Sequence, residues 1–396
     1  MASALHGRAV FLLAFAAFTS AAATRAIDPL LVPIAADFGT TAGEASIAAT
    51  AFLVSYGFLQ ILHGPLGDRI GKYRLVCLYT LVSGAAIFAS AFAPSLDALA
   101  WVRFVAGATT GGMITLALAW IGDAVPYEGR QMVLARFMTG QLLGVGCGAA
   151  AAGVIAERFG WRAVFILLGI VMLASAFGLW RELRVNVLAH PRARAANSTF
   201  AQDLRGVFGL LRRPWVRVVF AAVLCEGMFV YGSLSFVPLH LHRTLGLGVG
   251  ASGALVVLYA CGGLAYALSA SRLVPRLGER GIARLGGTSM ALGAGIVALA
   301  PNAQVAMCGL FLTGVGFYGF HNTLQTNATQ MAPEARGSGV SLFAFGMFGG
   351  SSLGVLIGAH VVDTAGTTPL LLGASAGLVL LTVYFSGRLP GRRGAN

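Results

Sequence analysis

Charge is scarce in this sequence. Asp, Glu, Lys and Arg together make up 10% of its 396 residues, against about 25% in an ordinary soluble domain. Lysine is nearly absent: Lys72 is the only one, and arginine carries the rest of the positive charge. A hydrophobic share of 57% and a mean hydropathy of +0.80 exclude a water-soluble fold and place the chain in a bilayer. Cys77, Cys147, Cys225, Cys261 and Cys308 all fall within apolar runs. That argues against a disulfide framework and leaves small buried hydrophobes as their plain role. The sequence has no phosphate-cradling glycine loop, no Cys/His metal frame and no nucleophile elbow. ATP-driven transport, a bound metal, a cofactor and enzymatic catalysis are therefore not expected.

What is present in quantity is apolar run. Twelve stretches approach the roughly 20 residues needed to cross a membrane as a helix; they lie at about 9–34, 45–63, 74–93, 98–122, 131–156, 162–181, 215–240, 250–270, 282–300, 303–326, 337–362 and 367–386. The formal net charge of +13 would ordinarily raise nucleic acid as a partner, but its placement argues otherwise. With the N-terminus set in the cytoplasm, all 27 basic residues except Arg25, Arg103, Arg158, Arg162 and Arg243 fall in the N-terminus, the even-to-odd loops or the C-terminus, or within five residues of them. This is the positive-inside pattern. It predicts a multi-pass protein of the cell inner membrane with both termini cytoplasmic, a lipid partner and no nucleic acid. His6, Arg8, the run Ala9–Phe18 and Ala21–Ala23 resemble a secretory signal. Apolar character resumes from Ile27 to Ala36, however, so a retained first helix is expected.

The longest polar interval separates the sixth and seventh runs and carries Arg184, Arg192, Arg194, Arg205, Arg212 and Arg213. It divides the chain into an N-terminal six-helix bundle (1–181), a cytoplasmic linker (182–214) and a C-terminal six-helix bundle (215–396). The halves repeat. Arg130, Gly140, Gly144 and Gly148 recur as Arg336, Gly346, Gly350 and Gly354, each 206 residues later (350 minus 144, for example). Pro126 is echoed by Pro333, Pro33 by Pro238, and Arg69 and Gly71 by Arg272 and Gly278. Paired halves with small residues at matching depths point to a transporter built from pseudo-symmetric bundles. Glycines four apart allow close helix packing. The helices that carry Gly144, Gly148, Gly350 and Gly354 are expected to line the interface between bundles, where rocking breaks and re-forms contacts; simple helix packing through the same contacts is the alternative.

Ionisable groups inside apolar runs are the candidates for chemistry, because each costs on the order of 2.5–3.5 kcal/mol to insert and so faces protein or water. Arg25 and Asp28, three residues apart, share a helix face and can pair. Pro29 and Pro33 interrupt the same helix. Asp28 is the natural proton carrier, since the guanidinium of Arg25 is permanently charged and suits modulation of Asp28 or an anionic substrate group. Glu226 has no acid or base near it in sequence; it is either protonated and silent or a titrating member of the coupling machinery. Tyr56, Phe229, Tyr231 and Tyr318 are candidates for cavity walls, with His321, Asn322 and Gln325 as a polar cluster that serves either the substrate or helix–helix hydrogen bonds. His240 and His242 point to different faces of a helix, so neither they nor His360 suggest a metal site.

Between residues 64 and 74 the chain reads Gly-Pro-Leu-Gly-Asp-Arg-Ile-Gly-Lys-Tyr-Arg, a charged, glycine-punctuated segment joining two apolar runs in a hairpin. It resembles the loop signature of the major facilitator superfamily, G-x-L-x-D-R-x-G-R-[KR]. The resemblance implies an all-α membrane fold of twelve transmembrane helices in two pseudo-symmetric six-helix bundles. It assigns Gly64, Gly67, Asp68, Arg69 and Gly71 to conformational gating, with Asp68 holding the start of the eleventh helix and Arg130 as a cationic partner. Arg103 followed by Gly107 resembles a second signature of the superfamily, tied to proton coupling; pairing of Arg103 with Asp28 or Asp97 is the structural alternative. The fifth helix reads Gly148-Ala-Ala-Ala-Ala-Gly153 where drug antiporters carry G-P-x-x-G-G, a departure that weakens that specific assignment. The expectation is a monomeric secondary transporter, most similar to bacterial drug or arabinose efflux permeases, that exchanges protons for a small organic compound. Uptake of a small organic anion and a non-transporting sensor are the alternatives.

Overall fold

The computed structural model describes residues 2–125, 127–186, 200–332 and 336–389. In it α1 spans Gly7–Phe38, and α2 runs as Ala42–Phe58 and Gln60–Ile70 with a 54° bend. Then follow α3 (Lys72–Ser90), α4 (Leu96–Ala124), α5 (Tyr127–Phe159) and α6 (Trp161–Val185). A linker helix, Phe200–Gly209, precedes α7 (Pro214–Leu245). The continuous stretch Val249–Ala298 has 50 residues, about 75 Å of helix where the hydrocarbon core is about 30 Å thick. It is two spans, α8 (249–277) and α9 (279–298), turned at Gly278 with φ 65° and ψ 176°. The set closes with α10 (Ala303–Gln330), α11 (Arg336–Thr364) and α12 (Thr367–Arg388). Twelve apolar spans result among the described residues. We call the end that carries Arg8, the linker helix and Arg388 the terminal end, and the opposite one the far end.

The hairpin at 64–74 is tighter than a loop. Helix α2 continues through Gly64, Pro65 and Gly67 to Ile70, and only Gly71, at φ 102°, leaves the helix before α3 begins. Packing holds the helix to its end: Gly67 lies against the side chain of Leu116 in α4, whereas Gly64 faces open space.

Helices α1–α6 and α7–α12 form two bundles, and the buried apolar residues fall mainly into one cluster for each. The repeat read from the sequence recurs in their packing. Gly140, Gly144 and Gly148 of α5 lie on the backbone of Ala14, Phe18 and Ala22 in α1. Gly346, Gly350 and Gly354 of α11 lie correspondingly on Phe220, Leu224 and Met228 in α7. These glycines therefore join helices within one bundle, the simple-packing alternative, while other residues of the same two helices face the junction between bundles. The reason is geometric, since a Cβ on Gly148 would stand 2.7 Å from Ala22, and only a bare backbone permits that approach.

A different set of small residues joins the bundles. Gly57 of α2 meets Phe348 of α11, and Gly146 of α5 meets Ala260 of α8. Toward the far end Gly153 packs on Gly250, Gly253 on Ala149 and Pro29, and Gly43 on Ala359. There the apolar core is continuous across the junction, with Phe236, Leu239, Val355 and Val362 of the second bundle buried in the core of the first.

Gly350→Ala is expected to destabilise the protein by about 1–3 kcal/mol through overpacking, because the new Cβ would lie 2.8 Å from the Leu224 carbonyl carbon. Gly349→Ala meets nothing within 4 Å and should be neutral or slightly stabilising. Thermal unfolding of the two purified variants checks the contrast.

Candidate functional site

Proline breaks α1 where its charges lie. The regular helix ends at Arg25, residues Asp28–Leu30 make a 3-10 turn, and the helix resumes at Leu31, because Pro29 cannot donate to the carbonyl of Arg25. Both charged side chains at the break are buried, with Arg25 Nη1 3.3 Å from Asp28 Oδ2. The Arg25 guanidinium also lies 4.0 Å from the ring centre of Tyr231 in α7. A cation over an aromatic face in a desolvated site gains about 2 kcal/mol, and here that contact spans the two bundles. Around it is a cavity of about 70 Å³ lined by Thr24, Arg25, Asp28, Tyr56, Gln141, Tyr231, Ser235, Phe348 and Ser351. It lies between the bundles and is too small for a drug-sized molecule.

Helix α7 is also irregular at its functional stretch. After Glu226 it widens into a π-helical turn, Gly227–Tyr231, a distortion frequently found at functional sites. Glu226 is fully buried, and its Oε2 lies 2.8 Å from His321 Nδ1 in α10, while Oε1 has no partner among the described residues. The sequence shows no neighbour for this carboxyl because its partner is 95 positions away. Phe317 stacks on the His321 ring at 4.8 Å and meets Tyr231 edge-on at 5.3 Å. Side chains in van der Waals contact thus run from Asp28 through Arg25, Tyr231, Phe317 and His321 to Glu226.

Arg103 is completely buried but pairs with neither Asp28 nor Asp97. Its Nε and Nη2 donate to the carbonyls of Ala48 and Ala23, each at 3.4 Å, and the guanidinium lies 4.2 Å from the Phe52 ring. It ties α4 to α1 and α2. Phe229 packs against Gly377 of α12 and Tyr318 against Gly263 of α8, so neither is a wall of this cavity. His321 is turned to Glu226, while Asn322 and Gln325 are exposed on α10. At the terminal end Asp68 pairs with Lys72 at 3.2 Å, and Lys72 also binds Asp123 of α4. The side chain of Arg130 and those at the start of α11 lie outside the described residues. His240 hydrogen-bonds with Thr367 at 2.8 Å and with the carbonyl of Val297 at 3.1 Å, which is a structural role. No cluster of potential metal ligands occurs among the described residues.

Gln60 and His63 are among the buried polar residues that escaped the reading of the sequence. Gln60 donates to Thr115 Oγ1 at 2.5 Å, and His63 Nδ1 lies 3.2 Å from the Tyr79 hydroxyl. Their three-residue spacing within an apolar run was the available signal, since it puts both on one helix face.

Residues 13–355 match the family described as the Major Facilitator Superfamily, and the chain belongs to that superfamily of membrane transporters. It is 28% identical over 354 residues to "Probable transporter SCO4007" of Streptomyces coelicolor, covering 88% of this chain and 80% of the relative. It is 26% identical over 274 residues to a chloramphenicol resistance protein of Pseudomonas aeruginosa, covering 66% and 61% of the two chains. Among solved structures, the crystal structure of the nucleoside transporter NupG superposes with a TM-score of 0.73 at 13% identity, covering 96% of this chain and all of that one. That likeness is one of fold.

His321→Ala would leave Glu226 buried without its partner, at a cost of about 1–3 kcal/mol. Adding Glu226→Gln should recover part of the loss, because an uncharged amide is easier to bury alone than a carboxylate. Melting temperatures of the two single variants and the double variant test this; equal losses for His321→Ala and the double variant would contradict it.

Proposed function

We propose that this protein is a proton-coupled exporter of a small organic compound, working by alternating access as a monomer in the cell inner membrane. The terminal end is assigned to the cytoplasm on the concentration of arginine there. The observation that carries the reading is the Arg25–Asp28 pair set between the bundles under Tyr231. A carboxylate that shares its site with a permanent cation is a charge switch. Protonating Asp28 removes the negative partner and leaves the Arg25 charge uncompensated in a cavity walled by both bundles. The cost of an unpaired charge in so dry a site favours parting of the bundles and entry of water. Proton binding is thereby linked to the contacts that separate one state from the other.

The lining offers aromatic faces from Tyr56, Tyr231 and Phe348 and neutral hydrogen-bonding groups from Thr24, Gln141, Ser235 and Ser351. Its two charges already neutralise each other. Such walls suit a compound without net charge better than an organic anion, because Arg25 is engaged by Asp28 and is not free to hold a carboxylate. The cavity must widen to admit a substrate, as alternating access requires. Glu226, buried on His321 and joined to Tyr231 through the π-helical turn, is the second candidate for the proton site. Kinship with a chloramphenicol resistance protein at 26% identity supports export over uptake.

A compound first identified by thermal stabilisation of the purified protein is expected to accumulate in everted vesicles when the lumen is made acidic. Asp28→Asn should reduce this proton-driven accumulation at least tenfold without unfolding the protein. Accumulation in right-side-out vesicles instead, or full flux through Asp28→Asn, would overturn the proposal.

A further inference from the structure

At the far end, two carboxylates that the repeat relates reach from one bundle to the other. Asp363, at the end of α11, accepts a hydrogen bond from the Thr41 hydroxyl at 2.6 Å and one from the Gly43 backbone N–H at 3.1 Å. Thr41 and Gly43 begin α2. Glu157, at the end of α5, sits with its carboxylate against Gly248 and Gly250, which begin α8. The two acids are 206 residues apart (363 minus 157), the offset that relates the glycines of α5 and α11. The helix each acid touches is also the repeat counterpart of the other, α2 for α8.

The local chemistry is complementary in both places. Gly248 occupies the N-cap of α8 and has no side chain to satisfy the first N–H groups of the helix; the Glu157 carboxylate lies beside this helix start from the opposite bundle. A Cβ at either position 248 or 250 would meet the carboxylate, which would have to swing aside. At the other place Thr41 caps its own helix by accepting from the N–H of Glu44, and uses its hydroxyl proton for Asp363. A Cβ on Gly43 would stand 2.6 Å from the Ala359 carbonyl oxygen. Anions at helix N-termini are stabilised by the unpaired N–H groups and the helix dipole. Both acids are exposed, so neither is needed to build a core.

We infer that Asp363 and Glu157 are paired latches that hold the far ends of the bundles together and set the balance between the far-closed and far-open states. Each contact joins elements on opposite sides of the junction, so it exists only while that junction is closed. Their positions on the two sides of the pseudo-symmetry axis make the closure even, α11 clamping α2 while α5 clamps α8.

The test needs no substrate and does not depend on the direction or coupling of transport. Spin labels on Pro94→Cys and Pro301→Cys, exposed at the far ends of the two bundles, are introduced after replacing the five native cysteines. Their separation is then read by pulsed electron resonance in lipid nanodiscs. Asp363→Asn and Glu157→Gln are each expected to raise the ratio of long to short distances about two- to five-fold, the range of a helix-terminus charge interaction, and the double variant by about the product. Asp97→Asn, an exposed acid at the same end with no hydrogen bond or ion pair across the junction among the described residues, serves as control and should change nothing. Unaltered distances in the double variant overturn the inference. So does a parent protein already open at the far end, or a lowered melting temperature with no new long-distance component, since the acids would then only support the fold.

Discussion

An ionised side chain inside a membrane is tolerable only beside a partner, and the interior of this protein is arranged around the few that it carries. Burying a lone charge costs several kcal/mol even after relaxation, so the deeply buried ionisable side chains fix the neighbours of the helices that bear them. Arg25 and Asp28 neutralise one another across the break in α1. Arg103 is solvated by two backbone carbonyls and an aromatic face, which binds α4 to α1 and α2. Glu226 draws α7 to His321 on α10. The helices are held in register by these polar contacts as much as by apolar packing, which in lipid offers little driving force of its own.

The scaffold on which these groups sit is a repeat, and the repeat fails where the chemistry is. Backbone contacts between α5 and α1 recur between α11 and α7 at the same offset. At that offset, however, Arg25 corresponds to Tyr231, Ser20 to Glu226 and Thr115 to His321. The cation and the aromatic ring that meet between the bundles therefore occupy equivalent positions in the two halves, facing one another near the axis that relates them. An architecture of two similar shells has been kept, while the residues lining its centre have diverged to give one half a permanent charge and the other the ring that receives it. The prolines and the π-helical turn serve the same end, since they re-aim side chains at the depth where the bundles face each other.

Much of the scaffold was legible in the linear chain. Span count, the division into halves and the approximate helix limits follow from hydropathy, which reports a local property averaged over about 20 residues. The Arg25–Asp28 pairing was legible for the same reason, as both residues lie on one turn. Contacts between distant segments were not. Gly144 and Gly350 carry the signature of close packing, yet nothing along the chain says whether the neighbour is a helix of the same bundle or of the other. Glu226 looked solitary because its partner lies on α10, and Phe229 looked like a cavity wall although its helix face turns it to α12.

Composition and periodicity alone thus determined that this chain crosses a bilayer twelve times in two related halves, because apolar length and small-residue spacing are properties of single segments. Which charge meets which, where the bundles touch and which end is closed were decided only in three dimensions. Those outcomes depend on the rotation of each helix about its axis and on its neighbours. A side-chain sequence constrains that rotation only after all twelve helices are packed together.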